Sequence, residues 1–191
     1  MDDLVTPRLT LHLMSPAEAA DIVAGEPGAG TRWAPGYPSE GDKGAARRYL
    51  DTFETAGDPR PFGSFAISLR EDGQVIGGMG FHGVPDEDGQ VTIGYGLAPA
   101  ARGKGYASEA LRAVLEFARS QGVASVKGDA DLDNIGSHRV MAAAGMRLVG
   151  VDDQLHYYRA DLNSEDAGDT PRAQEAPHTH DTRASRDAKR A

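Results

Sequence analysis

Leu9, Leu11 and Leu13 alternate with polar residues, the period of a strand buried on one face. Ser15-Pro16-Ala17-Glu18 follows with a capping serine, a proline at the first helical position and a capping-box acid, so a helix runs from there to near Gly25. Glu26 to Gly41 reads as a loop carrying Trp33 and Tyr37. A second helix, capped at Asp42, presents Ala46, Tyr49, Leu50 and Phe53 on its apolar side. The period then changes to two: Phe65, Ile67 and Leu69, a turn at Asp72-Gly73, Val75 and Ile76, a turn at Asp88-Gly89, then Val91, Ile93 and Tyr95. This predicts a three-stranded antiparallel meander. Leu111, Val114, Leu115 and Ala118 restore helical spacing over 107–121, with Gly122 as the stop. A strand over 123–130, a short helix over 135–144 ended by Gly145, and strands over 146–151 and 155–161 complete an α+β body around a mixed sheet.

Beyond Leu162 the pattern stops. Residues 163–191 contain no Leu, Ile, Val, Phe, Trp or Tyr, which predicts a disordered tail behind a single domain at 1–162. His178 and His180 in that stretch read as solvated filler rather than metal ligands. The tail has six acids against five bases, so the body holds −8 of the −9 net charge of the 191-residue chain. That acidity disfavours unguided binding to nucleic acid or anionic membrane and favours a cationic partner such as an amine. The chain has no cysteine, which excludes disulfides, thiolate metal sites and cysteine nucleophiles. No 18-residue apolar run occurs and the first residues, Met1-Asp2-Asp3, are acidic, so a soluble cytoplasmic protein is expected.

Two glycine motifs are rejected on context. Gly78, Gly80 and Gly83 match a dinucleotide fingerprint, but Val84-Pro85-Asp86 follows where a helix is required. Gly103-Lys104 lacks the preceding glycine and the following Ser or Thr of a phosphate-binding P-loop. What remains is Arg102-Gly103-Lys104-Gly105-Tyr106-Ala107-Ser108, between the strand ending at Leu97 and the helix from 107. A glycine-rich turn into a helix exposes consecutive N–H groups and the positive end of the helix dipole, as a pyrophosphate requires. A solvated connector has the same composition.

Arg102-x-x-Gly105-x-Ala107 resembles the acetyl-CoA pyrophosphate signature of the GNAT superfamily of N-acetyltransferases. Asn134-x-x-Ser137 followed by Ala144-Gly145-Met146 resembles the next block of that superfamily. Thr6-Pro7-Arg8-Leu9, Ile76-Gly77-Gly78 and Ile93-Gly94-Tyr95 resemble the branch containing the ribosomal-protein N-acetyltransferases, and the likeness spans about residues 5–161. It implies a GNAT-like, mostly antiparallel sheet flanked by helices, with a splayed strand pair at the cofactor cleft. Pantetheine would then pair with backbone near Gly96 and Leu97. The pyrophosphate would lie on Arg102, Gly103, Lys104, Gly105, Tyr106 and Ala107, with Ser108 as a further donor. Asn134 would hold the pantetheine side, and no metal is implied. The implied partners are acetyl-CoA and an amine acceptor, either a small molecule or a protein N-terminus; a homodimer is compatible with the likeness.

The implied reaction is attack of a neutral primary amine on the thioester, with no covalent enzyme intermediate. It needs a proton acceptor and a donor for the leaving thiolate. Relatives often carry Glu just before Ile-Gly-Tyr, where this chain has Thr92, and others carry Tyr seven residues after the Asn, where this chain has Met141. Ser137 is the surviving donor candidate. Thr92 is expected to hold a water, and His82, Asp86, Glu87 or Asp88 to replace the base, although His82 reads equally as a strand-end residue and the acids as a hairpin turn. Tyr157 and Tyr158 must point to opposite sheet faces, one toward the site and one into packing. Trp33 and Tyr37 read as an acceptor-side wall or as structural plugs. The rival class, carried by the two departures at Thr92 and Met141, is a non-catalytic acyl-CoA-binding or regulatory module of the same fold.

Overall fold

The computed structural model describes residues 2–163; the expected tail, apart from Asn163, lies outside the described residues. In chain order the elements are β1 (Leu4–Val5), β2 (Leu9–Leu13), α1 (Pro16–Ala24), α2 (Glu40–Ala56), β3 (Ser64–Leu69), β4 (Val75–Phe81), β5 (Gln90–Leu97), α3 (Tyr106–Ser120), β6 (Ser125–Asp131), α4 (Ile135–Ala143), β7 (Arg147–Val151) and β8 (Leu155–Asp161). All eight strands form one sheet in the order β1-β2-β3-β4-β5-β6-β8-β7. The expected meander is extended by β2, which pairs antiparallel with β3, and by β1, too short to leave a period in the sequence.

Local chemistry sets the helix starts. Ser15 caps α1 through the capping box with Glu18, as its spacing predicts. The cap of α2 is Ser39 rather than Asp42. Asp42 is the third helical residue, and its Oδ2 accepts from the Ser39 N–H at 2.8 Å and the Ser39 hydroxyl at 2.6 Å. Asn134 caps α4 through its side-chain oxygen. Among the four α-helices α3 has no side-chain cap, and it begins after Gly105 in the left-handed region at φ 80°.

The core gathers where α3 crosses the sheet. Leu111, Val114 and Ala118 are fully buried, and Phe117 packs edge-on against Phe65 with centroids 5.9 Å apart. Burying such side chains contributes about 1.5–3 kcal/mol each, which is what fixes the amphipathic face of α3 inward.

The feature that positions the site is a break in the sheet. β5 and β6 are parallel and paired from Gln90↔Ser125 to Thr92↔Lys127, while β5 continues beside β4 from Ile93 to Leu97. From Ile93 onward the side of β5 facing β6 is open, so the expected splay is present.

Candidate active site

Backbone groups alternate in direction along an antiparallel strand. The Thr92 carbonyl accepts from the His82 N–H at 2.8 Å and the Ala98 N–H donates to the Ile76 carbonyl at 2.8 Å, so Thr92, Gly94, Gly96 and Ala98 face β4. Ile93, Tyr95 and Leu97 therefore direct their amides into the gap. The backbone of Gly96, expected to face the gap, is turned toward β4, whereas that of Tyr95 and Leu97 faces the gap; the Leu97 carbonyl accepts from Arg102 Nε at 2.9 Å.

A cavity of about 220 Å³ occupies the gap, lined by Ile93, Gly94, Tyr95, Asp129, Ala130, Asp131, Asn134, Ser137, Met141 and Leu155. Asn134 and Ser137 thus share a wall. The Asn134 oxygen accepts from the Ser137 N–H at 3.1 Å, which leaves the Asn134 amide NH₂ as its donor group. The Tyr95 hydroxyl donates to the Ser137 carbonyl at 3.3 Å and ties β5 to α4 across the gap. Burial is the largest influence on the Tyr95 phenol and holds it above its ordinary value, so it remains a donor.

At the mouth of the gap the turn from Arg102 to Gly105 leads into α3. Without a side-chain cap, the amides of its first turn have no intrahelical acceptor, and the helix dipole adds positive potential there. The turn is braced from the other end of the chain. Glu109 accepts from the Thr6 hydroxyl at 2.7 Å, the Arg8 N–H at 2.9 Å and Arg8 Nε at 2.6 Å. Arg8 also donates to the Lys104 carbonyl at 2.9 Å, and its guanidinium lies 4.6 Å over the Tyr106 ring. Burial pushes the Glu109 carboxyl up, but the hydrogen bonds from Thr6 and Arg8 outweigh it and leave the group below its ordinary value.

A larger cavity of about 580 Å³ lies between α2 and the other side of the β4–β5 pair, and it shares Gly94 and Tyr95 with the gap. Its floor is bare backbone. Gly78 pairs with Gly96 and Gly80 with Gly94, and all four would project side chains to this one face. Two functional groups lie over that floor. A Cβ built at Gly94 would stand 2.8 Å from His82 Nε2, and one at Gly96 would stand 3.0 Å from Asp42 Oδ1. His82 is exposed overall, yet partial burial, followed by the Arg48 charge, pushes the imidazole below 6.5, with Asp129 pulling the other way. Tyr37 is buried in the wall, and Trp33 packs edge-on against it at 5.5 Å. Burial and the Asp42 carboxylate hold the Tyr37 phenol far above its ordinary value.

Other expected residues are placed elsewhere. Asp86 Oδ1 accepts from the Asp88 and Gln90 N–H groups, so these acids form the hairpin turn. Tyr158 is buried and Tyr157 exposed, on opposite faces as expected, and neither lines the two cavities. Thr92 shares the face of Gly94 and Gly96 but lies outside the cavity lining, where β5 and β6 part. Asp42, Arg48, Tyr95, Asp129 and Asp131 were missed as site residues. For Asp42 a signal existed: an acid four residues before Ala46 on the apolar stripe of α2.

An acetyltransferase (GNAT) domain model matches residues 8–147. The chain belongs to the GNAT acetyltransferase family. It is 33% identical over 88 residues to the uncharacterized N-acetyltransferase YjdG of Bacillus subtilis, covering 46% of this chain and 52% of that protein. It is 32% identical over 120 residues to the uncharacterized N-acetyltransferase p20 of Bacillus licheniformis, covering 61% and 66%. The chain therefore spans about half to two thirds of these relatives. Among solved structures, a GNAT-family acetyltransferase from Bacillus anthracis superposes with a TM-score of 0.62 at 19% identity, covering 85% of this chain and 99% of the other. RimL, a ribosomal L7/L12 alpha-N-protein acetyltransferase in complex with coenzyme A, gives 0.62 at 15% identity over 85% and 99%. At such identities the GNAT fold is what these structures share with this chain. Among the described residues no helix is long and apolar enough to cross a membrane.

Proposed function

We propose that this GNAT chain is an acetyl-CoA-dependent N-acetyltransferase that transfers acetyl directly to a primary amine. The observation that carries the reading is the meeting of two cavities at Gly94-Tyr95, one in the strand gap beside a helix with open amides, the other a separate acceptor-sized chamber. A module that binds acyl-CoA alone has no use for the second chamber.

The residues present fit the cofactor. The amides of Tyr95 and Leu97 on the open strand edge suit the amides of pantetheine, with the Asn134 NH₂ opposite. The turn Arg102-Gly103-Lys104-Gly105 and the first amides of α3, Tyr106, Ala107 and Ser108, suit the pyrophosphate. When bound, acetyl-CoA supplies an activated acetyl thioester. In the acceptor chamber His82 takes a proton from the incoming ammonium, directly or through a water near Thr92. Ser137, on the gap side, would donate a hydrogen bond from its hydroxyl to the thiolate that leaves as the new C–N bond forms, the thiolate taking its proton from solvent on release and Ser137 staying neutral.

The amine class follows from the base. A lysine side chain, with pKa about 10.4, is roughly 0.04% neutral at pH 7, whereas an α-amine at about 7.7–8.0 is roughly 10–20% neutral. An imidazole depressed below 6.5 is a weak base and serves the second far better than the first. The acceptor is accordingly an α-amine, of a small molecule or a protein N-terminus, and the partners are that amine and acetyl-CoA.

The test is coenzyme A release from acetyl-CoA over a panel of amines, run with wild type and Ser137→Ala. Amine-dependent release, with kcat lowered about 10²-fold in the variant and little change in acetyl-CoA KM, is the expected result. A thermal shift with acetyl-CoA but no turnover with any amine identifies the binding module instead. Full kcat in Ser137→Ala, where chemistry limits the rate, removes Ser137 from the donor role.

A further inference from the structure

The two groups over the glycine floor are spaced along the strand. Gly94 and Gly96 lie two residues apart on one face, roughly 6.7 Å along β5. His82 Nε2 stands over the first and Asp42 Oδ1 over the second. Each atom lies about 3 Å from the side-chain position of its own glycine, so both groups border the same stretch of the chamber. No side chain intervenes, because the floor has none. The other Asp42 oxygen is held by the Ser39 N–H and hydroxyl, so the carboxylate is fixed with Oδ1 directed at the strand rather than free to swing into solvent.

Charge in the chamber is sparse. Among the described residues lining it, Asp42 is the single carboxylate, and the other charged side chain is Arg48, exposed at the rim and close enough to depress His82. The rest of the lining is mostly apolar, with Ile22, Tyr49 and Phe62 among its walls. One anionic anchor, an apolar body and a cation at the entrance describe a ligand with one positive charge. A polyamine would need a second carboxylate and would meet Arg48 instead.

We propose that Asp42 is the acceptor-positioning residue, holding the ammonium over Gly94-Tyr95-Gly96 beside His82, and that the chamber selects a singly charged α-amine bearing an apolar side chain. The proposal rests on the acetyltransferase reading. Asp42 accepts one N–H of the ammonium; His82 takes the proton whose loss frees the lone pair for attack; Asp42 keeps the remaining N–H aligned.

The experiment uses the full chain with acetyl-CoA and three acceptors: phenylalaninamide, a tripeptide beginning with Phe, and spermidine. Phenylalaninamide or the tripeptide should exceed spermidine in kcat/KM, and the ratio of the first two tells whether the amine comes from a free compound or a chain terminus. Asp42→Asn keeps an oxygen for the Ser39 cap and removes the charge. It should raise acceptor KM about 10- to 100-fold, the loss expected for a charge-assisted hydrogen bond, with the acetyl-CoA thermal shift unchanged. Arg48→Glu, at an exposed position, should shift preference toward spermidine. Spermidine as the best wild-type acceptor, or an unchanged acceptor KM in Asp42→Asn, overturns the proposal while leaving the acetyltransferase reading intact. Loss of the acetyl-CoA thermal shift in Asp42→Asn also overturns it, since the residue would then act on the fold or the cofactor. No turnover of any amine by wild type overturns both.

Discussion

Glu109→Ala tests how the glycine turn is held. The carboxylate is 12% exposed and accepts three hydrogen bonds from the amino-terminal segment, two of them from Arg8, whose side chain is 47% exposed. The bonds from the Thr6 hydroxyl and the Arg8 N–H are worth about 0.5–1.5 kcal/mol each, and the half-exposed ion pair about 0–1 kcal/mol after solvent screening. The sum is about 1–4 kcal/mol, or a fall in Tm of about 2–16 °C for a domain of this size. Arg8 would also lose the partner that aims it at the Lys104 carbonyl, so acetyl-CoA KM should rise several-fold with kcat less affected. The pH dependence has a definite sign. Because the folded state holds the Glu109 carboxyl below 4.5, its contribution is complete above that value and is lost as pH falls toward the depressed pKa. Denaturant midpoints of wild type and variant should therefore differ most at neutral pH and converge as pH falls below 4.5 through the depressed pKa. A variant within 1 °C of wild type at pH 7, or a gap that does not narrow in acid, refutes the assigned brace.

Two further outcomes follow from the site. Gly105→Glu places a side chain and a negative charge where the backbone is left-handed; it should cost about 1–2 kcal/mol of stability, stay folded by circular dichroism, and lose the acetyl-CoA stabilisation of about 2.7 kcal/mol expected at 100 times Kd. A folded variant with the wild-type thermal shift places the pyrophosphate elsewhere. His82 should give kcat/KM an acidic limb centred below pH 6.5, because the rate rises as a depressed imidazole loses its proton, and His82→Gln should remove the limb while lowering kcat about 10²-fold. A limb that survives in His82→Gln assigns it to another group, with Asp129 the next to test.

The element order, the glycine turn ahead of α3 and the Asn134–Ser137 pair were legible because each is a local property. Period-two leucines commit a segment to a half-buried strand, and Ser15 with Glu18 writes a helix start, wherever the segment ends up. The cap of α2 was misplaced because Ser39 and Asp42 are both good capping residues and only the reciprocal bonds between them decide which comes first. β1 was invisible because two residues carry no period. Thr6-Pro7-Arg8 was readable as a resemblance, yet its work on the turn was not, since Glu109 lies about a hundred positions away along the chain.

The acceptor side belonged to the tertiary structure altogether. Gly78, Gly80, Gly94 and Gly96 look in sequence like a failed nucleotide motif and a family signature; register across β4 and β5 turns them into one bare floor. Asp42 looks like a cap, and the docking of α2 against β5 puts its free oxygen over Gly96. By itself the sequence determined which segments are strands and helices and where a glycine turn opens a helix, because backbone preference and hydrophobic period act over a few residues. Where β5 parts from β6, which strand amides face the gap, and what stands opposite His82 were decided by packing, because those distances join residues that no local spacing relates.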